Sequence, residues 1–171
     1  MNTFEISRKL VGEKGLGDNY KNFEHVVFKV RNYYIKYLGK RLMNFIELYI
    51  DNGTRNTGHT PTITPVFGKY LIIKLGITHR CSEARIAFQF AHELMHFVYF
   101  VKYGVNRKRV TEQEEAICSA AALIVLHDLY PGEEFEKYND YTQSLLNPDY
   151  RSGAEVAKSV NYKFKKIIQK I

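Results

Sequence analysis

Thiols are scarce in this chain: two cysteines, Cys81 and Cys118, stand far apart among 171 residues. That spacing excludes a disulfide framework and any cysteine-only zinc ribbon. Long apolar runs are missing as well. None reaches the roughly 18 residues that a membrane-spanning helix requires, so no membrane partner is expected. The opening stretch MNTFEISRKLVGEKG holds no uninterrupted apolar segment, which makes a secretory signal unexpected and a cytoplasmic location the expectation. Acidic residues are outnumbered, 18 against 25 basic ones, for a formal net charge of +7. The excess falls within residues 1–110, while residues 111–171 are net acidic. With 45% apolar and 25% charged residues the composition is that of a folded domain. The length suits one domain with a sizeable core, and we expect a single domain over residues 1–171.

The densest basic point is Arg107-Lys108-Arg109. Such a tract attracts nucleic acid or an acidic partner. Neither the stacking aromatics of an RNA-binding module nor zinc-finger spacing accompanies it. A solvated loop is the expectation, and direct nucleic-acid binding is not.

Apolar spacing organises the rest. Phe23, Val26, Val27, Val30, Tyr34 and Leu38 recur at three and four residues, which predicts a helix; Gly39 breaks it before a second helical stretch, Leu42 to Ile50. Together these make an N-terminal helical part over residues 19–52. Asp51 to Thr60 reads as a loop. Thr62-Ile63-Thr64 and Tyr70 to Leu75 read as two strands around Phe67-Gly68. Ser82 to Tyr103 is helical and apolar nearly all round, the pattern of a buried core helix, with Gly104 as its stop. Thr111 and Glu114 form a capping-box signature opening a further helix to about Asp128. Residues 60–128 thus make a core, followed by a C-terminal helix over 152–171 that starts at a second capping box, Ser152 and Glu155. Its stripe of Val156, Val160, Phe164, Ile167 and Ile171 suits a helix docked on that core.

Within the buried helix lies His92-Glu93-Leu94-Met95-His96. Histidines at i and i+4 project from one helix face and can bind one metal ion. Glu93, about a hundred degrees round the helix, can reach a water activated by that ion without joining its coordination sphere. This is the arrangement of metal-assisted hydrolysis, in which the carboxylate takes the water's proton and passes it on. An ordinary core helix gains nothing from burying three polar groups in this order, since burial without partners costs free energy. Catalytic zinc usually has three protein ligands. The acidic start of the following helix offers Glu112, Glu114 and Glu115. Glu114 has a capping role beside Thr111 and Glu112 suits the helix dipole. Glu115, on a face continuing through Ser119 and Ala122, is the expected third ligand, with Ser119 as a hydrogen-bond partner for a ligand histidine. The oxyanion donor is open: Tyr99, Tyr103, His79 and His127 are candidates.

The run from Glu83 through Arg85, Phe88 and Ala91 to His92-Glu93-Leu94-Met95-His96 resembles the ImmA/IrrE-like metallopeptidase family, whose members carry an Arg and a Phe shortly before an A-H-E-L-G-H core. Glu115-Ala116, with Ala120 and Leu123-Ile124, resembles that family's downstream segment and the third-ligand helix of the gluzincins. Met95 stands where the family usually has glycine, and Ile117 where it has asparagine, so the chain resembles a divergent member. The resemblance implies an α+β, zincin-like fold with a small, mostly antiparallel sheet packed on the HExxH helix. It implies zinc held by His92, His96 and Glu115, with Glu93 as general base. It also implies a protein substrate held in extended form along an edge strand, for which Tyr70 to Leu75 is the candidate, and a DNA-binding repressor as one class of substrate. The expected function is a zinc metalloendopeptidase; the alternative is an inactive zincin-fold binding module.

Overall fold

The computed structural model describes residues 4–6, 20–52, 60–107 and 110–171. Lys108 and Arg109 of the basic tract, and residues 53–59 of the expected loop, lie outside the described residues. The chain mixes a small four-stranded sheet with several helices, and among the described residues no helix is long and apolar enough to cross a membrane.

Strand β1 (Phe4–Ile6) precedes helix α1 (Tyr20–Leu38), which buries Phe23, Val26, Val27, Val30, Tyr33 and Tyr34 along one stripe. Gly39, at φ 83°, breaks the helix as expected, because few side chains tolerate that conformation. Only one turn follows, α2 (Lys40–Met43). The second helical stretch is therefore a correction: Glu47–Asn52 is strand β2. Its burial alternates, with Ile46, Leu48 and Ile50 inward and Phe45 outward, and this period of two outweighs the helical reading of the same apolar residues.

Strands β3 (Thr62–Val66) and β4 (Tyr70–Leu75) form the expected hairpin. Its three-residue connection, Phe67 to Lys69, has positive φ at both Phe67 and Gly68, and Lys69 N–H closes the turn on the Val66 carbonyl at 3.1 Å. The strand order is β1-β2-β4-β3, with β1–β2 and β2–β4 parallel and β3–β4 antiparallel. Two of the three pairings being parallel corrects the mostly antiparallel expectation. The order also moves the edge: β4 lies inside the sheet, and among the described residues β3 is the edge strand beside it. Pro65 fits that place, since proline cannot donate to a ladder on both sides. Leu48, Ile50, Leu71, Ile73 and Leu75 bury one sheet face against the helices.

Helix α3 (Glu83–Tyr103) runs through the core, capped where Ser82 Oγ accepts from Arg85 N–H at 3.3 Å and stopped at Gly104, φ 89°. It packs on β4 and α1 on one side and on α4 (Glu112–Leu129) on the other. The Tyr34 hydroxyl, fully buried, donates to the Ala91 carbonyl at 2.6 Å, fixing α1 to α3 one residue before His92. Helix α4 starts where Thr111 Oγ accepts from Glu114 N–H at 3.1 Å. It is buried on nearly all sides because α5 (Glu133–Ser144) and α6 (Pro148–Ser159) cover what α3 leaves open.

The single C-terminal helix over 152–171 is a further correction. Asn147 caps α6, its Oδ1 accepting from Asp149 N–H at 2.9 Å, and Pro148 occupies the first turn. Ser152 lies inside the helix, donating to the Pro148 carbonyl at 2.7 Å, so it is no cap. Asn161 and Tyr162, both at positive φ, end the helix before a short α7 (Phe164–Ile168). The reversal drives Phe164 into the rings of Tyr33, Tyr34 and Tyr37, at 5.0, 4.9 and 5.2 Å between centroids.

Candidate metal centre

Helix periodicity and the α3–α4 contact bring three ligand atoms together. His92 Nε2 and His96 Nε2 are 3.2 Å apart; Glu115 Oε2 is 3.2 Å from the first and 3.5 Å from the second. Four donors set tetrahedrally at about 2.0–2.2 Å from zinc would be separated by about 3.3–3.6 Å. The triangle thus has the size of one face of such a coordination shell. Glu115 Oε2 is buried without a hydrogen-bond partner, an expense that a cation facing all three atoms would offset. These three residues could hold a metal ion.

The two carboxylates beside the histidines differ in their electrostatics. Burial alone would raise the Glu115 carboxyl, but the facing His92 and His96 hold it below the usual carboxylate range. Glu93 is 4% exposed, and burial raises its pKa, with the two histidines opposing and Glu115 reinforcing. A buried carboxylate of raised basicity is suited to proton transfer.

The structure separates the three candidate acids. Glu112 is exposed on the outer face of α4. Glu114 departs from its capping expectation: its N–H satisfies Thr111, but its carboxylate turns inward, where Oε1 accepts from His96 Nδ1 at 2.6 Å. Arg107 binds both oxygens of the same carboxylate. Ser119 Oγ lies 3.4 Å from His92 Nδ1. Both histidines therefore have a partner on Nδ1, leaving Nε2 for the shared triangle. Cys118 is fully buried beside His96, and burial pushes its thiol up to about 12. His96, Glu114 and Cys118 form a second set of close donor atoms. Glu114 is already paired with Arg107 and the thiol keeps its proton at neutral pH, so this set reads as a hydrogen-bonded support.

Beside the triangle a cavity of about 1110 Å³ opens. His92, Glu93, Ser119 and Tyr150 line its inner end, and Phe88, Tyr138, Tyr141, Arg80, Arg85 and Lys137 its outer walls. Thr60 and Pro61, which lead into β3, form part of its rim.

None of the four candidate oxyanion donors lines this cavity. Tyr99 and Tyr103 stack on each other at 5.8 Å beside Arg107, lining a smaller cleft that Glu93 does not reach. His127 stacks on Tyr162 and pairs with Asp128. His79 is exposed and accepts from Arg80. Tyr150 was missed. It sits in the first turn of α6, its ring stacked on His92 at 5.6 Å, with its hydroxyl interacting with Glu115. Burial pushes its phenol up to about 12, so it stays a donor at neutral pH. The Asn-Pro pair at 147–148 carried the signal, because it starts the helix five residues before Ser152 and places Tyr150 at its head.

Fold and site together define a mixed α+β domain with a two-histidine, one-carboxylate cluster on the facing sides of two core helices. No family model, curated protein or solved structure matches the chain.

Proposed function

We propose that this chain is a zinc-dependent endopeptidase of narrow specificity, with His92, His96 and Glu115 as ligands and Glu93 as general base. The observation that carries the reading is the triangle of two Nε2 atoms and Oε2, set at zinc-compatible separations, with a neighbouring carboxylate facing the same cavity. The resemblance of the HExxH helix to ImmA/IrrE-like metallopeptidases, and the zincin-like character it implies, support the same conclusion. Bound at this site, zinc would supply a water of lowered pKa and an electrophile for the scissile carbonyl.

The chain's own residues supply the rest. Glu93 accepts the proton of the attacking water and delivers it to the departing amine. The Tyr150 hydroxyl, at the cavity's inner end, donates to the oxyanion that develops as the carbonyl is attacked. An extended peptide pairs along the edge strand β3, whose leading residues Thr60 and Pro61 border the cavity. Among the described residues the cavity lining carries Arg80, Arg85 and Lys137 against the single carboxylate of Glu93, together with the rings of Phe88, Tyr138, Tyr141 and Tyr150. That lining favours a polypeptide presenting acidic and aromatic side chains, and a regulatory protein such as a repressor is the substrate class that the resemblance adds.

Cleavage of a mixed peptide library by zinc-loaded wild type and by Glu93→Gln tests the reading. Loss of the general base should lower the rate by about 10²–10⁴-fold with zinc content unchanged. Equal cleavage by the two proteins would refute the peptidase assignment. Zinc binding with no cleavage by either would favour the inactive binding module.

A further inference from the structure

Arg107 begins the basic tract, yet it points into the protein. Its side chain is only 11% exposed, and its guanidinium lies 4.1 Å from the centre of the Phe100 ring. From there it grips Glu114 with both terminal nitrogens, Nη2 donating to Oε1 at 2.6 Å and Nη1 donating to Oε2. The Glu114 side chain is 3% exposed, and Oε1 also accepts from His96 Nδ1. A continuous line of contacts thus runs from the α3–α4 connection through Glu114 to His96, whose opposite nitrogen faces His92 and Glu115.

We propose that Arg107 is a positioning residue for the metal centre, acting through Glu114 to hold the His96 ring with Nδ1 against Glu114 and Nε2 toward His92 and Glu115. The proposal rests on the metal-site reading and is independent of peptidase activity. A metal-binding histidine is oriented by the hydrogen bond that its other ring nitrogen donates to a carboxylate. The carboxylate performs that task only while it is held in one orientation. The planar guanidinium fork does so, engaging one lone pair on each oxygen and leaving another on Oε1 aimed at the ring. Stacking on Phe100 fixes the fork in turn, and its charge compensates that of the buried carboxylate. Lysine cannot reproduce this, because a single ammonium leaves the carboxylate free to rotate. The role also removes Arg107 from any surface that recruits nucleic acid or a partner.

The test compares wild type with Arg107→Gln and Arg107→Lys. Zinc affinity is read by chelator competition, and the Nδ1–H bond to Glu114 by the proton shift of His96 Nδ1–H in the zinc-loaded protein. Both variants should bind zinc about 10–100-fold more weakly. Both should lose the downfield shift of the His96 Nδ1–H proton. Arg107→Lys keeps the charge, so it carries the test if Arg107→Gln fails to fold. Zinc affinity within twofold of wild type and an unchanged Nδ1–H shift in Arg107→Lys would overturn the proposal. Neither measurement needs substrate or cleavage, so the outcome stands apart from that of the peptidase assay.

Discussion

Replacing Gly153 by alanine probes the seam where α6 crosses α4. A Cβ at this position would stand 2.4 Å from Ser119 Cβ, 3.1 Å from Ala120 N and 3.2 Å from the Ala116 carbonyl oxygen. Carbon atoms in contact sit about 3.5–4.0 Å apart, so the new methyl intrudes by about 1 Å or more on Ser119. None of the three neighbours is the end of a flexible side chain: two are backbone atoms and the third is a Cβ. Relief therefore requires moving α6 away from α4. Overpacking of this kind costs about 1–3 kcal/mol. Alanine in a helix interior recovers about 1 kcal/mol over glycine. An overlap of this depth on unyielding atoms takes the steric cost to the upper part of that range, about 2–3 kcal/mol, so the expected net loss is about 1–2 kcal/mol. For a chain of this length that lowers Tm by about 2–8 °C. Ser119 also faces His92, and Tyr150 lies one turn before Gly153, so the same displacement widens the inner end of the cavity. Urea unfolding followed by circular dichroism reads the stability, and library cleavage reads the site. A Gly153→Ala protein stabilised by about 1 kcal/mol would show that propensity governs here, and would refute the close crossing of the two helices.

Two further outcomes follow from other contacts. Tyr33→Phe removes the hydroxyl that donates to Asp128 at 2.5 Å and ties α1 to the end of α4. Both groups are part-buried and Asp128 keeps His127 as a partner, so the loss should be about 1–2 kcal/mol by chemical denaturation; no change would mean that the bond contributes nothing net. Tyr150→Phe keeps the ring against His92 and removes only the donor. It should lower kcat by about 10²-fold with KM and zinc content little altered, whereas a rise in KM at constant kcat would make Tyr150 a substrate-binding residue instead.

The parts of this structure that local sequence determines were readable in advance. The capping box at Thr111, the all-round apolar pattern from Ser82 and the stop at Gly104 placed the two helices that carry the cluster. The i, i+4 rule placed His92 and His96 on one face, and the α4 turn placed Glu115 where it meets them. Reading failed where one pattern served two periods, as at 42–50, where alternation and helical spacing coincide over a few residues until Ile46, Leu48 and Ile50 are seen to share a face. It failed for the sheet edge because strand order depends on β1, a three-residue strand with little pattern of its own, although Pro65 already marked β3 as peripheral. It failed for α6 because Ser152 and Glu155 imitate a cap inside a helix that Asn147 and Pro148 had begun. Arg107 and the inward carboxylate of Glu114 were beyond reach for a different reason. Their pairing depends on how the α3–α4 connection folds back over Phe100, and no local spacing encodes that.

Zinc content measured by elemental analysis on purified wild type, His96→Ala and Glu115→Ala tests the central claim most directly. About one zinc per chain is expected in the wild type, with loss of most of it in both variants and circular dichroism spectra still helical. Zinc retained at the wild-type level in Glu115→Ala would contradict the three-residue centre, and a wild type that takes up no zinc would contradict the metal site itself.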